Sequence, residues 1–522
     1  MESNVAQLLR LAAESEPDRI ALSEASTGRT VTWRALDEMA DAVATGLATA
    51  GLVAGHRMML VLGNRIEFVA AYLGALRARV VVVPVNPRSA VGELVRMIAD
   101  SGSRVVVADA DTVDDARAAV TGLAEVSDAE RPAPRIVGVG VRVEDGETTW
   151  DELVAATGRP TPLPDDPEAL AVLLYTSGTS GRPRAAMLSH RALLANIEQV
   201  AAVDPPMIHG NDVVFGVLPL FHVYGLNAVL GQTLKHCARL VLVESFHPEG
   251  ALDIIEDEAI TVLPVAPPVF AYWRTLDNLK DRIGPVRLAL SGSAPLATEL
   301  IDWFTEATGV ALHQGYGLTE ASPVVTSTLC SKDLQSGSVG AALPGVDVRL
   351  VDDQGAEPDG DDPGEIWVRG ENLFSGYWPD GDDGPGAEGW YATGDVGFLD
   401  QSGDLFLVDR LKELVIVSGF NVYPSEVEEV IAEVAQVAEV AVIGVADDRT
   451  GEAVVAYVKA TDPSDAAELP DLVRDHCTAR LARFKQPSVI HVVAELPYTV
   501  TGKVQKGRLR ATERRRALGL LE

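Results

Sequence analysis

Apolar residues along this chain fall into two kinds of run. Arg57–Leu62, Arg79–Val85, Val213–Leu218, Leu240–Val243, Val262–Val265 and Leu288–Ser291 are short and largely apolar, as strands buried on both faces are. Between the first pair and after it, Ile66–Leu76 and Ala90–Ala99 repeat apolar residues at helical spacing. Strands alternating with helices predict α/β units with parallel sheets, one set over residues 17–130 and a second over Asp212–Ala294. Gly364–Gly370 alternates like a strand between the loops Asp352–Gly364 and Trp378–Gly389, so residues 340–408 read as a small β-rich subdomain. Beyond Asp409 come a helix at Pro424–Ala435, strands at Val440–Val445 and Ala453–Ala460, a helix at Leu469–Leu481 and a strand at Ser488–Val493. The predicted class is α/β: a large N-terminal domain of two α/β subdomains plus a small β-rich subdomain, then a small α+β C-terminal domain.

A chain of 522 residues is too long for one core, and 47% hydrophobic with 23% charged residues is ordinary for a soluble enzyme. Met1–Ile20 is interrupted by charges and no apolar run reaches the roughly 20 residues of a membrane span, so a cytoplasmic protein without a transmembrane segment is expected. Cys237, Cys330 and Cys477 fit no metal or disulfide spacing and read as ordinary thiols. The formal charge of −33 excludes nucleic acid as a partner, and it means that anionic substrates must be held by local cations. Lysines are scarce, eight against thirty-five arginines, so a lysine inside a motif stands out.

The decapeptide Tyr175–Arg184 follows the apolar run Ala169–Leu174 with four Ser/Thr hydroxyls and two glycines. Such a loop offers backbone N–H groups, hydroxyls and the charges of Arg182 and Arg184 to a polyphosphate. No Gly-Lys-Ser/Thr closes it, so it is not a Walker loop. Ala185–Leu188 reads as a second strand and Ser189 as the cap of a helix, giving strand–loop–strand. A Ser/Gly surface hairpin is the plainer alternative.

Four further segments carry chemistry. His313–Glu320 places an aromatic, a hydroxyl and a carboxylate within five residues, suited to stacking on a base and holding Mg²⁺, or else merely a strand entering a helix. Thr393-Gly394-Asp395 offers a carboxylate for a ribose diol, yet the tripeptide is also a common turn. Asp409-Arg410-Leu411-Lys412 and Ser418–Pro424 fall where the pattern changes domain. Lys503 follows Gly502 on a predicted turn, where it is either a mobile point charge or a solvated surface lysine.

Together, in this order, these motifs resemble the adenylate-forming superfamily, in particular its acyl-CoA synthetases, from about Gln7 to Arg510. The resemblance implies ATP, Mg²⁺ and coenzyme A as cofactor and co-substrates, with a carboxylic acid as substrate. It implies that Thr176, Ser177, Gly178, Thr179, Ser180 and Gly181 hold the ATP phosphates and that Tyr316 stacks on adenine between Gly315 and Gly317. Ser293, Ala294 and Pro295 would wall its other side. Thr319 would contact phosphate, Glu320 would bind Mg²⁺, and Asp395 and Arg410 would bind the ribose. Lys503 would bridge carboxylate and α-phosphate. Residues 1–408 would form the adenylation domain, 409–412 a hinge centred on Lys412, and 413–522 a mobile domain whose rotation brings Ser418 and Gly419 to the thioester site.

Two positions depart from the family, which usually has Lys-Gly where this chain has Arg184-Ala185. Arg184 keeps the charge and is expected at the leaving pyrophosphate. In Leu218–Gly225, His222 stands where amino-acid-activating relatives place aspartate, which favours an acid without an α-ammonium. His222 would gate the thiol tunnel or pack in the core. Gly315 would leave the pocket deep enough for an aliphatic chain. A medium- or long-chain fatty acid is the expected substrate, with aryl acids of the coumarate or benzoate type as rivals. CoA is the expected acceptor, an acyl carrier protein the alternative, and a homodimer the expected assembly if there is one.

Overall fold

The computed structural model describes residues 2–125, 132–158, 165–176, 184–276, 278–293, 296, 298–333, 335–352, 354–358, 362–410, 413–417, 420–447, 450–481, 483–499 and 502–517. The chain is α/β, with a large N-terminal domain and a small C-terminal one. Its contacts separate two units, Met1–Asp347 with Val368–Tyr391, and Val348–Trp367 with Ala392–Glu522.

The first unit holds two sheets. In the seven-stranded sheet, Arg57–Val61 lies between Val81–Pro84 and Val105–Ala108, all parallel, and Leu170–Thr176 follows beyond Val81–Pro84. The nine-stranded sheet has a parallel centre of Ile20–Glu24, Arg239–Leu242, Val213–Gly216, Val262–Val265, Leu288–Ser291 and Leu312–Gly317. Central strands such as Val81–Pro84 and Val262–Val265 are buried at every position, because a parallel sheet packs on both faces. That is why their apolar runs were legible as strands.

The expected β-rich region carries Val346–Val351, Gly364–Gly370, Trp390–Leu399 and Leu405–Arg410, the last two paired antiparallel. The C-terminal module is a five-stranded sheet in which Val437–Asp447 and Gly451–Ala460 form a long antiparallel pair. Alternate residues feed two cores. Val442, Val454, Ala456 and Val458 pack with Val427, Ile431 and Leu469 of two helices, while Ala441, Ile443, Val455 and Tyr457 pack with Leu496 and Leu509. No helix among the described residues is long and apolar enough to cross a membrane. Among the described residues Cys237, Cys330 and Cys477 form no disulfide, and burial pushes the Cys477 thiol up.

Candidate active site

The strand–loop–strand reading of the decapeptide holds. Leu170–Thr176 pairs antiparallel with Arg184–Ser189, and Thr176 and Arg184 form the last register pair. The hydroxyl of Thr176 donates to the Arg184 carbonyl at 3.4 Å. Ser177, Gly178, Thr179, Ser180 and Gly181, at the tip, lie outside the described residues. Ser189 caps the helix His190–Ala201, its hydroxyl accepting the Ala192 N–H at 3.2 Å.

Residues 375–378 run beside the second strand of this hairpin. Met187 N donates to Gly376 O at 3.0 Å, Ser375 N to Met187 O at 2.9 Å, and Trp378 N to Ala185 O at 2.8 Å. The pairing brings Tyr377 opposite Ala186. The Arg184 guanidinium lies over the Tyr377 ring, 3.9 Å from its centroid, and its Nη1 donates to Asp383 Oδ2 at 2.7 Å. The Asp383 side chain is 71% exposed, so the ion pair alone contributes about 0–1 kcal/mol. The Tyr377 hydroxyl donates to Glu320 Oε1. Burial, and after it the Glu320 charge, hold the Tyr377 phenol well above its ordinary pKa, so it stays a donor throughout the physiological range.

Glu320 sits on a single 3₁₀ turn, Thr319–Ala321, rather than in the first turn of an α-helix. Its backbone is clamped: Phe374 N donates to Glu320 O at 2.9 Å, and the Asn372 amide to Ala321 O at 2.7 Å. Asn196 closes a two-way bond with Val324, at 2.8 and 3.1 Å. The carboxylate is buried, and around Tyr377 the rings of Phe374 and Tyr391 meet edge to face at 5.0 Å.

Tyr316 is buried on the strand Leu312–Gly317, opposite Thr326. A Cβ at Gly315 would stand 2.5 Å from Thr326 O, and one at Gly317 2.3 Å from Pro323 O. Close approach of the neighbouring strand therefore requires glycine at both positions, whatever the shape of a pocket.

Asn64 fixes the segment leading to His222. Its Nδ2 donates to Gly216 O and Leu218 O, both at 2.9 Å, and its Oδ1 accepts the Leu220 N–H at 2.9 Å. His222 is half-buried, and its Nδ1 accepts the Tyr224 N–H at 3.3 Å. A π-helix, Tyr224–Gly231, follows; such irregular turns are frequent at functional sites. Its Asn227 donates to Ser322 O at 2.7 Å, tying the His222 segment to the Glu320 turn. A Cβ on Gly292 would meet the Tyr224 ring at 2.8 Å, and Ser293 adopts φ +76°, a strained value for a serine. Ala294 and Pro295 lie outside the described residues. Thr176, His222, Ser293 and Glu320 thus all follow the C-terminal ends of sheet strands, where α/β sheets bind ligands. Sequence reasoning passed over Asn64, Asn227 and Tyr377. A lone amide or phenol carries no spacing signal; only its buried partners mark it.

In the second unit, Thr393-Gly394-Asp395 lies inside the strand Trp390–Leu399, not in a turn. Thr393 Oγ1 accepts the Asp395 N–H at 3.1 Å and donates to Ile366 O at 2.8 Å. Asp395 and Arg410 are register partners across the strand pair. Lys412, Ser418 and Gly419 lie outside the described residues. Lys503 sits on the predicted turn: Thr499 N donates to Lys503 O at 2.8 Å, the Lys503 N–H donates to Thr499 Oγ1 at 3.0 Å, and Gly502 takes φ +81°. Leu496 and Leu509, buried on either side in sequence, anchor that turn to the sheet.

No group of three or more acidic, His or Cys side chains among the described residues is arranged to hold a metal. Glu320 nonetheless suits Mg²⁺, a hard cation commonly held by one or two carboxylates together with substrate phosphates.

A model of the AMP-binding enzyme family matches residues 9–378, and one of the AMP-binding enzyme C-terminal domain matches 426–503. The chain is 33% identical to 4-coumarate–CoA ligase 5 of Oryza sativa subsp. japonica, over 95% of its own length and 92% of that protein's. It is 32% identical to a long-chain-fatty-acid–CoA ligase of Yersinia pestis, over 93% and 90%. Among solved structures, ATP-bound MatB from Rhodopseudomonas palustris matches with a TM-score of 0.87 at 31% identity, covering 98% of this chain and 99% of that one. The chain therefore belongs to the adenylate-forming superfamily of AMP-binding enzymes, within its acyl-CoA synthetase family.

Proposed function

We propose that this enzyme activates a carboxylic acid with ATP and passes the acyl group to CoA. A carboxylate oxygen attacks the α-phosphorus, the bond to the β-phosphate oxygen breaks, and acyl-AMP and pyrophosphate form. The deprotonated CoA thiol then attacks the acyl carbonyl, and AMP leaves. The observation that carries this reading is the link, through Tyr377, between the foot of the phosphate hairpin at Arg184 and the buried carboxylate of Glu320.

In this reading Thr176–Gly181 cradle the phosphates, and Tyr316 stacks on adenine against the Ser293–Pro295 backbone. Thr319 contacts phosphate, and Asp395 with Arg410 holds the ribose. Mg²⁺ at Glu320 supplies positive charge against the phosphates. Lys503 sets its ammonium between the carboxylate and the α-phosphate, which would otherwise repel. Residues 413–522 then turn about the hinge at 409–412, carrying Lys503 away and bringing Ser418 and Gly419 toward the thiol. His222 lies on the acyl side and leaves no carboxylate for a substrate ammonium.

For the acid, the first reading is a planar aryl acid of the coumarate type, supported by the ligase of that name at 33% identity. The case for a deep aliphatic pocket rested on Gly315, and that glycine is already required by Thr326 O at 2.5 Å. A medium- or long-chain fatty acid is the second reading, supported by the Yersinia relative. The test is a panel of aryl and aliphatic acids, measuring AMP release with and without CoA. AMP release needing both an aryl acid and CoA is the expected result. Acyl-AMP formation with no CoA turnover points to a carrier-protein acceptor instead. No acid-dependent pyrophosphate from any class overturns the proposal.

A further inference from the structure

We infer that Tyr377 is a positioning residue for the Glu320 carboxylate, and that Arg184 acts through it, as the clamp that holds Tyr377, rather than as a direct ligand of the leaving pyrophosphate. The inference rests on the reading of Glu320 as the Mg²⁺ ligand. Three observations support it. The Tyr377 hydroxyl donates to Glu320 Oε1, which fixes the orientation of the carboxylate. The Tyr377 ring cannot swing away easily, because Arg184 covers it at 3.9 Å and Phe374 packs edge to face against it at 5.1 Å. The Tyr377 backbone is held opposite Ala186 by the pairing of residues 375–378 with the hairpin strand.

The charge of Arg184 is accounted for within this arrangement. It is directed at Asp383 Oδ2 and at the π-face of Tyr377, and the stacking on the ring favours a planar guanidinium over an ammonium. Arginine at this position therefore has a structural reason of its own. The buried Ala185 beside it belongs to the same strand, packs into the core and accepts the Trp378 N–H, so the strand end is fixed where a glycine would leave it freer. Arg184, Tyr377 and Glu320 then form one chain from the phosphate hairpin to the metal-binding carboxylate. Tyr377 donates along it through its hydroxyl.

The experiment compares equilibrium binding of ATP in Mg²⁺ with binding of ATP in EDTA, by calorimetry, for purified full-length variants whose folding is checked by thermal melting. Tyr377→Phe keeps the ring and removes the donor. It is expected to weaken MgATP binding about 10- to 100-fold, the range of one hydrogen bond to a charged group, and to leave metal-free ATP binding within about twofold. Arg184→Gln is expected to act in the same direction, and the Arg184→Gln/Tyr377→Phe double variant to lose no more than the worse single one. If Arg184→Gln weakens metal-free ATP binding as much as MgATP binding, Arg184 is a phosphate ligand and the clamp is wrong. If Tyr377→Phe leaves MgATP affinity unchanged while Glu320→Gln abolishes the difference between the two conditions, the positioning role fails and the Glu320 reading stands. If Glu320→Gln retains the full Mg²⁺ effect, the Glu320 assignment itself fails.

Discussion

Asp395 and Arg410 face each other across an antiparallel strand pair, backbone to backbone, although a loop separates them in sequence. Directly opposed residues project to the same side of a sheet. In the proposed reading Asp395 supplies an acceptor for the ribose diol. Removing the Asp395 acceptor should weaken ATP binding by about 1.5–3 kcal/mol, roughly ten- to a hundredfold. The matching control is 2′,3′-dideoxy-ATP. Asp395→Ala should bind it as the native enzyme does, and an equal loss for both nucleotides would place Asp395 elsewhere.

Lys503 rides on a turn fixed by Thr499 and Gly502, so removing its side chain should leave the module folded. Lys503→Ala is predicted to slow acyl-AMP formation by about 10²–10³, the scale of one preorganised charge donor. Thioester formation from supplied acyl-AMP should persist. Loss of both half-reactions together would contradict a rotating domain.

Gly315→Ala separates a structural glycine from a pocket-forming one. Its Cβ would collide with the Thr326 carbonyl at 2.5 Å, and backbone yields less readily than a side chain end. A drop in melting temperature with every acid affected alike is the expected outcome, at a cost of about 1–3 kcal/mol. A narrowed chain-length preference at unchanged stability would restore the pocket reading.

His190 gives a pH signature. It is buried, its Nδ1 accepts the Val5 N–H at 3.2 Å, and burial lowers its pKa from 6.5 to about 4. The unfolded ring takes up a proton near pH 6.5 while the folded ring resists, so stability is full above that pH. It should fall by about 3 kcal/mol as the pH drops from 6.5 to 4, then level off. Denaturant unfolding across that window should show the slope, and His190→Gln should flatten it.

Much of the N-terminal domain was legible because parallel strands are apolar on both faces. Val262–Val265 and Leu288–Ser291 begin and end where their apolar runs say, and Gly364–Gly370 where its alternation says. Strand ends drifted where a sheet borrows extra residues, as in Val437–Asp447, whose pairing runs beyond its apolar core. The hairpin and the Ser189 cap were legible from local chemistry. Thr393–Asp395 misled, because the same residues that make a turn also lie within a long strand when a partner is available to pair with them.

The sequence by itself determined the superfamily and singled out the loop, the carboxylates and the lysine to which the proposed chemistry is assigned, since those signals are local runs of residue type. Tertiary structure alone decided which side chains support them. Tyr377 reaches Glu320, Asn64 pins the His222 segment and Thr326 dictates Gly315 through contacts between distant parts of the chain. Such contacts follow from how strands are ordered in a sheet and how closely they approach. No periodicity along the chain records that.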